Sequence, residues 1–292
     1  MSIFPDAYTD LACEKKGDAR PARRTTEKTE RGFRTLTQRA PREQENGLSE
    51  EDCVITVFAD GMWAFEEEKK ACLSFLLAQK IRLLGDAVFS RKETPKILVA
   101  GIGNARMTAD AIGPETAEKI TVTRHLSLLS PAVFRSLGSL SVAAIAPGVV
   151  GQTGIETADL IEGAVKASSP DLILAFDALA SCSLTHLFST VQLTNNGISP
   201  GSGLKNNRTA LDFARFGVPV IGIGVPTVTS APALVFDFLS AAGEEIGEKT
   251  EEKILAIGEG YFVSPKEADQ MLVSVSAILA RAADLAFSIG EA

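Results

Sequence analysis

Two aspartates, Asp110 and Asp177, each follow an apolar run that reads as a buried strand. The first run, Ile97-Leu98-Val99-Ala100, passes through Gly101-Ile102-Gly103-Asn104 and a polar loop before reaching Asp110. A helix over about 110–119 follows, which Thr108 or Asp110 could cap. The second run, Leu172-Ile173-Leu174-Ala175-Phe176, leads straight into Asp177. In an open α/β sheet such endings put both carboxylates at one sheet edge, where these sheets keep their active sites. Close carboxylates do not both ionise easily, so one pKa rises and the pair can share a proton. One member can then deprotonate water while the other protonates a leaving amine. Ala109, Ala111, Ala178 and Ala180 leave space for a substrate. Either aspartate alone also fits a helix cap; the pairing is what points to hydrolysis.

Other candidates are weaker. Glu156 could border the site, though it equally suits the acidic first turn of a helix. His186 follows Asp177 by one loop and could line the cleft, or simply face solvent. Backbone amides around Gly201 and Gly203, in a loop rich in glycine and asparagine, could bind an oxyanion. Gly101-x-Gly103 lacks the third glycine of a dinucleotide loop, where Arg106 stands, and Lys205 precedes Asn206 rather than the Ser or Thr of a phosphate loop. Cys13, Cys53, Cys72 and Cys182 are scattered without metal or redox spacing and read as buried reduced thiols. With only two histidines, no metal site and no cofactor is expected.

The elements that must hold these residues alternate. Strands are expected at 53–59, 97–102, 141–146, 171–177, 190–194 and 218–224, and helices at 63–84, 110–119, 156–167, 208–216, 230–242 and 265–288. Continuous apolar strands between helices predict an α/β fold: a three-layer α/β/α sandwich with a mostly parallel sheet. One such domain spans 51–292. Residues 11–50 form a separate basic segment, with Arg20, Arg23, Arg24, Arg31, Arg34, Arg39 and Arg42 among glutamates, expected to be mobile or surface-lying. The chain carries a net charge of −8, with a pI of about 5.0. That balance disfavours generic nucleic-acid binding. No apolar run reaches the roughly 18 residues of a membrane span, and the N-terminal stretch lacks a basic-then-apolar signal pattern, so a cytoplasmic location is expected.

Longer motifs carry a resemblance. They are Gly101–Asn104 with Asp110-Ala111-Ile112-Gly113-Pro114, Thr123–Leu126, Ala146–Thr157, Asp177–Ala180, Gly197–Gly203, Gly217–Val228 and Val263–Asp269. In order over about 95–288, they resemble the germination protease family, spore endopeptidases that degrade small acid-soluble spore proteins. The resemblance implies an atypical aspartic-type endopeptidase with Asp110 and Asp177 as its catalytic pair. It implies a fold similar to hydrogenase maturation proteases, a homotetramer, and a location in the forespore or spore core. It also implies a zymogen that removes its own propeptide by cutting after an acidic residue in a Thr-(Glu/Asp)-(Leu/Ile/Phe)-Ala motif. Thr9-Asp10-Leu11-Ala12 matches that motif, so residues 1–10 are the candidate propeptide and the Asp10–Leu11 bond the candidate self-cleavage site. The chain departs from the family pattern at Ala109, at Ser181-Cys182 and at Asn195. Two alternatives stand beside this reading: a metal-dependent maturation protease of the hydrogenase type, whose Gly-x-Gly-Asn motif is similar, and a non-catalytic module that binds spore proteins.

Overall fold

The computed structural model describes residues 9–14, 24–42, 45–199, 209–244 and 246–288. In chain order the strands are β1 (Arg24–Glu30), β2 (Phe33–Pro41), β3 (Glu51–Phe58), β4 (Lys96–Gly101), β5 (Ser141–Ile145), β6 (Leu172–Ser181), β7 (Thr190–Thr194), β8 (Val220–Ser230) and β9 (Phe262–Val263). The helices are α1 (Glu67–Leu84), α2 (Asp86–Arg91), α3 (Ile112–Lys119), α4 (Arg124–Leu129), α5 (Pro131–Ser136), α6 (Val150–Thr153), α7 (Thr157–Ser168), α8 (Phe213–Phe216), α9 (Ala231–Ala241), α10 (Glu248–Gly258) and α11 (Ala268–Phe287). One sheet runs in the order β1-β2-β3-β7-β8-β6-β4-β5, with β9 pairing onto β8.

The three-layer reading holds, but the sheet is mixed. Among the described residues only the pairs β5–β4, β4–β6 and β6–β8 are parallel. The extension from β8 through β7, β3 and β2 to β1 is antiparallel throughout. The central strands need apolar residues on both faces because helices cover both. Leu174, Phe176, Ile221 and Ile223 pack into the cluster under α1, α3 and α11, while Ile173, Ala175 and Val220 pack under α7.

The basic segment is a correction. Instead of lying mobile or apart, residues 24–41 form a hairpin that extends the sheet through β3. Arg31 and Gly32 both adopt positive φ (51° and 83°), the two-residue turn that matches strand twist. Its cations are engaged locally: Arg31 lies 4.2 Å over the Phe75 ring, Arg34 lies 3.9 Å over Phe58, and Arg42 pairs with Asp52 at 2.9 Å. By length and composition α11 could cross a membrane (20 residues, mean hydropathy 1.4), yet 61% of its apolar stretch is buried in the molecule, against α1 and α3, as in a core helix.

Backbone packs directly on backbone where the end of β4 meets α3. A Cβ added at Gly113 would overlap the Ile102 carbonyl and come within 2.5 Å of the Phe176 carbonyl. Those neighbours are backbone and cannot turn aside. We therefore expect Gly113→Ala to destabilise the fold by about 3 kcal/mol, read as a lower urea midpoint at an unchanged m-value. An unshifted midpoint would show that α3 can slide off the sheet at little cost.

Candidate active site

β4 stops at Gly101, opposite Phe176, while β6 runs on to Ser181. Asp177 is therefore the first residue of β6 without a β4 neighbour. It lies inside a strand rather than at its end, contrary to the sequence expectation, and only 4% of it is exposed. Its backbone faces Gly224 on β8, and its carboxylate accepts from the Ala178 amide at 2.9 Å. Alternation along β6 sends its side chain to the face it shares with Ile173 and Ala175.

The chain leaving β4 bends back over this point. Ile102 donates its N–H to the Phe176 carbonyl at 2.8 Å, anchoring the loop beside Asp177. Gly103 takes φ of +121°, and a Cβ there would overlap the Asp110 carbonyl and approach its Oδ1 to 3.0 Å. The loop closes in a 3₁₀ turn, Thr108–Asp110, and α3 starts only at Ile112. Neither Thr108 nor Asp110 serves as a side-chain cap. Asp110 instead accepts from the Asn104 amide, through Oδ2 at 2.9 Å and through its own carbonyl at 3.1 Å. The Asn104 side chain in turn accepts from Gln152 Nε2 at 2.5 Å, tying the loop to α6. From the opposite side Thr227 donates to the Ala109 carbonyl at 2.5 Å, and Thr108 donates to Asp269 on α11 at 2.6 Å. The turn carrying Asp110 thus hangs between β8, α6 and α11, directly against β6 and β8.

Thr227 reaches Ala109 because of a bulge. Leu179 pairs with Pro226, but Ala180 pairs with Val228, leaving Thr227 as an extra residue. Proline has no N–H for the ladder, and such bulges re-aim side chains. Next to the bulge Ala180 turns both backbone groups to the N-terminal segment. The Asp10 N–H donates to the Ala180 carbonyl at 3.0 Å, and the Ala180 N–H donates to Asp10 Oδ2 at 2.9 Å. Gln192 on β7 then brackets the Asp10–Leu11 bond, donating to the Asp10 carbonyl (3.3 Å) and accepting from the Ala12 N–H (2.7 Å). Gln192 and Asp177 both face Gly224, so their side chains leave the same side of the sheet. Leu11 is fully buried there.

His186 is not solvent-facing. Its Nδ1 sits 2.5 Å from Glu14 Oε1, and its ring tilts against Phe58 at 5.7 Å. Glu156 is exposed at the start of α7, the placement of an acidic first turn rather than a cleft wall. Gly201 and Gly203 lie outside the described residues. Asn104, Gln152, Gln192 and Glu14 were missed in the sequence; only the position of Asn104 directly after Gly103 offered a signal, as a short polar residue in a tight turn. The Cys13 thiol is pushed up to about 11, chiefly by burial and next by the nearby Glu14 charge, so it stays protonated and unreactive. Among the described residues no three His, Cys, Asp or Glu side chains gather as a metal site.

Burial pushes the Glu14 carboxyl up, but hydrogen bonds from His186, Ser181, Thr9 and the Cys182 amide outweigh it and hold the group below its ordinary 4.5. A depressed pKa contributes docking strength that is present above the ordinary value and is lost as pH falls through the lower one. The segment should therefore stay docked from pH 7 to 5.5 and loosen only as pH falls below the ordinary 4.5 of a glutamate. Hydrogen exchange of the Asp10 and Leu11 amides, corrected for intrinsic rate, checks this. Protection lost already at pH 5.5 would show that another group controls the segment.

A sequence model of the germination protease family matches residues 25–254. The germination protease of Caldanaerobacter subterraneus subsp. tengcongensis is 35% identical over 258 residues, covering 81% of this chain and 78% of the relative. That of Oceanobacillus iheyensis is 40% identical over 199 residues, 68% of this chain and 54% of the relative. The chain thus spans about half the length of that longer relative. Among solved structures, a [NiFe] hydrogenase maturation protease from Thermococcus kodakarensis aligns over 67% of this chain and 96% of its own, at 16% identity and a TM-score of 0.34.

Proposed function

The chain belongs to the germination protease family, and from that premise we propose that it is an endopeptidase of small acid-soluble spore proteins, with Asp110 and Asp177 as its catalytic pair. In this reading one carboxylate takes a proton from water, and the oxygen adds to the peptide carbonyl carbon. The other carboxyl gives a proton to the departing nitrogen as the C–N bond breaks. The chain is made as a zymogen, cuts itself between Asp10 and Leu11, and acts as a homotetramer in the spore interior. Substrates are cut after an acidic residue in Thr-(Glu/Asp)-(Leu/Ile/Phe)-Ala sequences.

The observation that carries this reading is the docked N-terminal segment. Gln192 holds the carbonyl of its Asp10–Leu11 bond and the following Ala12 N–H, and the Asp10 N–H and carboxylate are held by Ala180, three residues along the strand from Asp177. A peptide is thereby already held on the face that Asp177 shares. The anchoring of Asp110 by Asn104 and Gln152 gives the second carboxylate a fixed orientation, as proton transfer to a positioned group requires.

Asp110→Asn and Asp177→Asn keep side-chain size and remove the charge. Each should lower cleavage of a Thr-Glu-Ile-Ala peptide by about 10³-fold or more and leave residues 1–10 attached, with circular dichroism unchanged. N-terminal sequencing of the unaltered chain after incubation should read from Leu11. Full turnover by either folded variant would sink the assignment.

A further inference from the structure

Glu14 stands four residues beyond the Asp10–Leu11 bond, and its surroundings are those of a built carboxylate site. Its side chain is only 9% exposed. Oε1 receives the Ser181 hydroxyl at 2.5 Å and lies 2.5 Å from His186 Nδ1. Oε2 accepts from the Cys182 amide at 2.7 Å and from Thr9 Oγ1. Ser181 closes β6 and Cys182 and His186 follow it; Thr9 alone comes from the segment itself. Ser181 is itself oriented, accepting the Ser183 N–H at 3.0 Å. Phe58 backs the His186 ring and limits where it can turn.

This site lies in fixed register with the bond to be cut. Ala180 holds Asp10, and Gln192 holds the carbonyl of that bond and the N–H of the next peptide unit. The next residue along β6, Ser181, opens the carboxylate site. Gln192 meets the segment only at the Asp10 carbonyl and the Ala12 N–H, and Ala180 meets it at the Asp10 N–H and carboxylate, so an extended peptide with an acidic residue before the cut can lie along the same track. We propose that Ser181 Oγ, the Cys182 N–H and His186 form a substrate subsite for a carboxylate side chain four residues after the cut bond. It reads an acidic residue in a substrate as it reads Glu14 in the chain's own segment. This rests on the peptidase reading above and adds a second acidic requirement, separate from the residue before the cut.

The charge is what the subsite measures. An amide of equal size keeps the shape but loses the charge-assisted hydrogen bonds, which are the stronger kind. The chain, once self-processed, is given two peptides, one carrying Thr-Asp-Leu-Ala-Cys-Glu and one with Gln in the last place. The Glu peptide should be cut with kcat/KM about tenfold higher or more, mainly through KM. Ser181→Ala and His186→Ala should each pull that ratio toward one, and in the full chain Glu14→Gln should slow self-cleavage. A wild-type chain that cuts both peptides equally well overturns the subsite and leaves the peptidase reading standing. A preference that survives unchanged in both variants also overturns it, by placing the recognition elsewhere. A chain that cuts neither peptide overturns the peptidase reading, and the subsite falls with it.

Discussion

The backbone contact between the end of β4 and the start of α3 sets the rest of the site. Gly101 and Gly113 lie so close that a Cβ on either would overlap the other segment's main chain. This closeness lets Ile102 reach the Phe176 carbonyl and ends the β4–β6 ladder one residue before Asp177. If α3 stood a side chain farther out, the loop from Gly103 to Asp110 would not fold back over β6. Both carboxylates owe their placement to missing side chains. The energy sits in packing, and its consequence is an orientation.

A second device acts from the other flank. Pro226 in β8 removes a ladder donor, and the register shift that accompanies it leaves Thr227 unpaired in the ladder and bonded to the Ala109 carbonyl. Ala180 lies beyond the end of β4 and turns both backbone groups to the peptide segment. The bulge therefore steadies the turn carrying Asp110, while the early end of β4 opens the strand carrying Asp177. Ala109 contributes through its carbonyl, which any residue would supply, so its side chain is not what binds Thr227. Asn195, 2% exposed, joins the ends of β3 and β7 by accepting from Cys53 and Arg42 and donating to Glu51. That role needs a donor as well as an acceptor, which an aspartate side chain would lack when ionised.

The parallel core was legible because its strands are continuous apolar runs, as burial on both faces demands. The hairpin of residues 24–41 was obscured by its charges. Its strand signal was an alternation of threonines with charged residues (Thr25, Thr26, Thr29, Thr35, Thr37), easily read as a solvated tail. Only the structure shows that Phe75, Phe58, Glu51 and Asp52 receive its arginines. Asp110 and Asp177 were legible as residues but not in their setting. A bulge and a 3₁₀ turn depend on contacts between segments about 118 residues apart, which no local pattern carries. His186 was misread for the same reason: its partner, Glu14, lies 172 positions away.

The segment that bears Asp10 is held in an uneven way. Among its described residues Leu11 is the only large, fully buried side chain, worth about 1.5–3 kcal/mol of burial. Everything else is hydrogen bonding: the Asp10 N–H and carboxylate on the Ala180 backbone, the two-sided Gln192 amide, and the carboxylate of Glu14. Backbone pairs accept almost any sequence, and a single leucine discriminates weakly among apolar residues. A desolvated carboxylate differs, because an apolar substitute leaves the Cys182 N–H without its acceptor and a neutral amide gives up the charge-assisted bonds from Ser181 and Cys182. Discrimination among peptides on this face must then come from charged positions. Affinity, by contrast, is spread over groups that every peptide possesses, which is the division expected where one surface holds both the chain's own segment and other proteins.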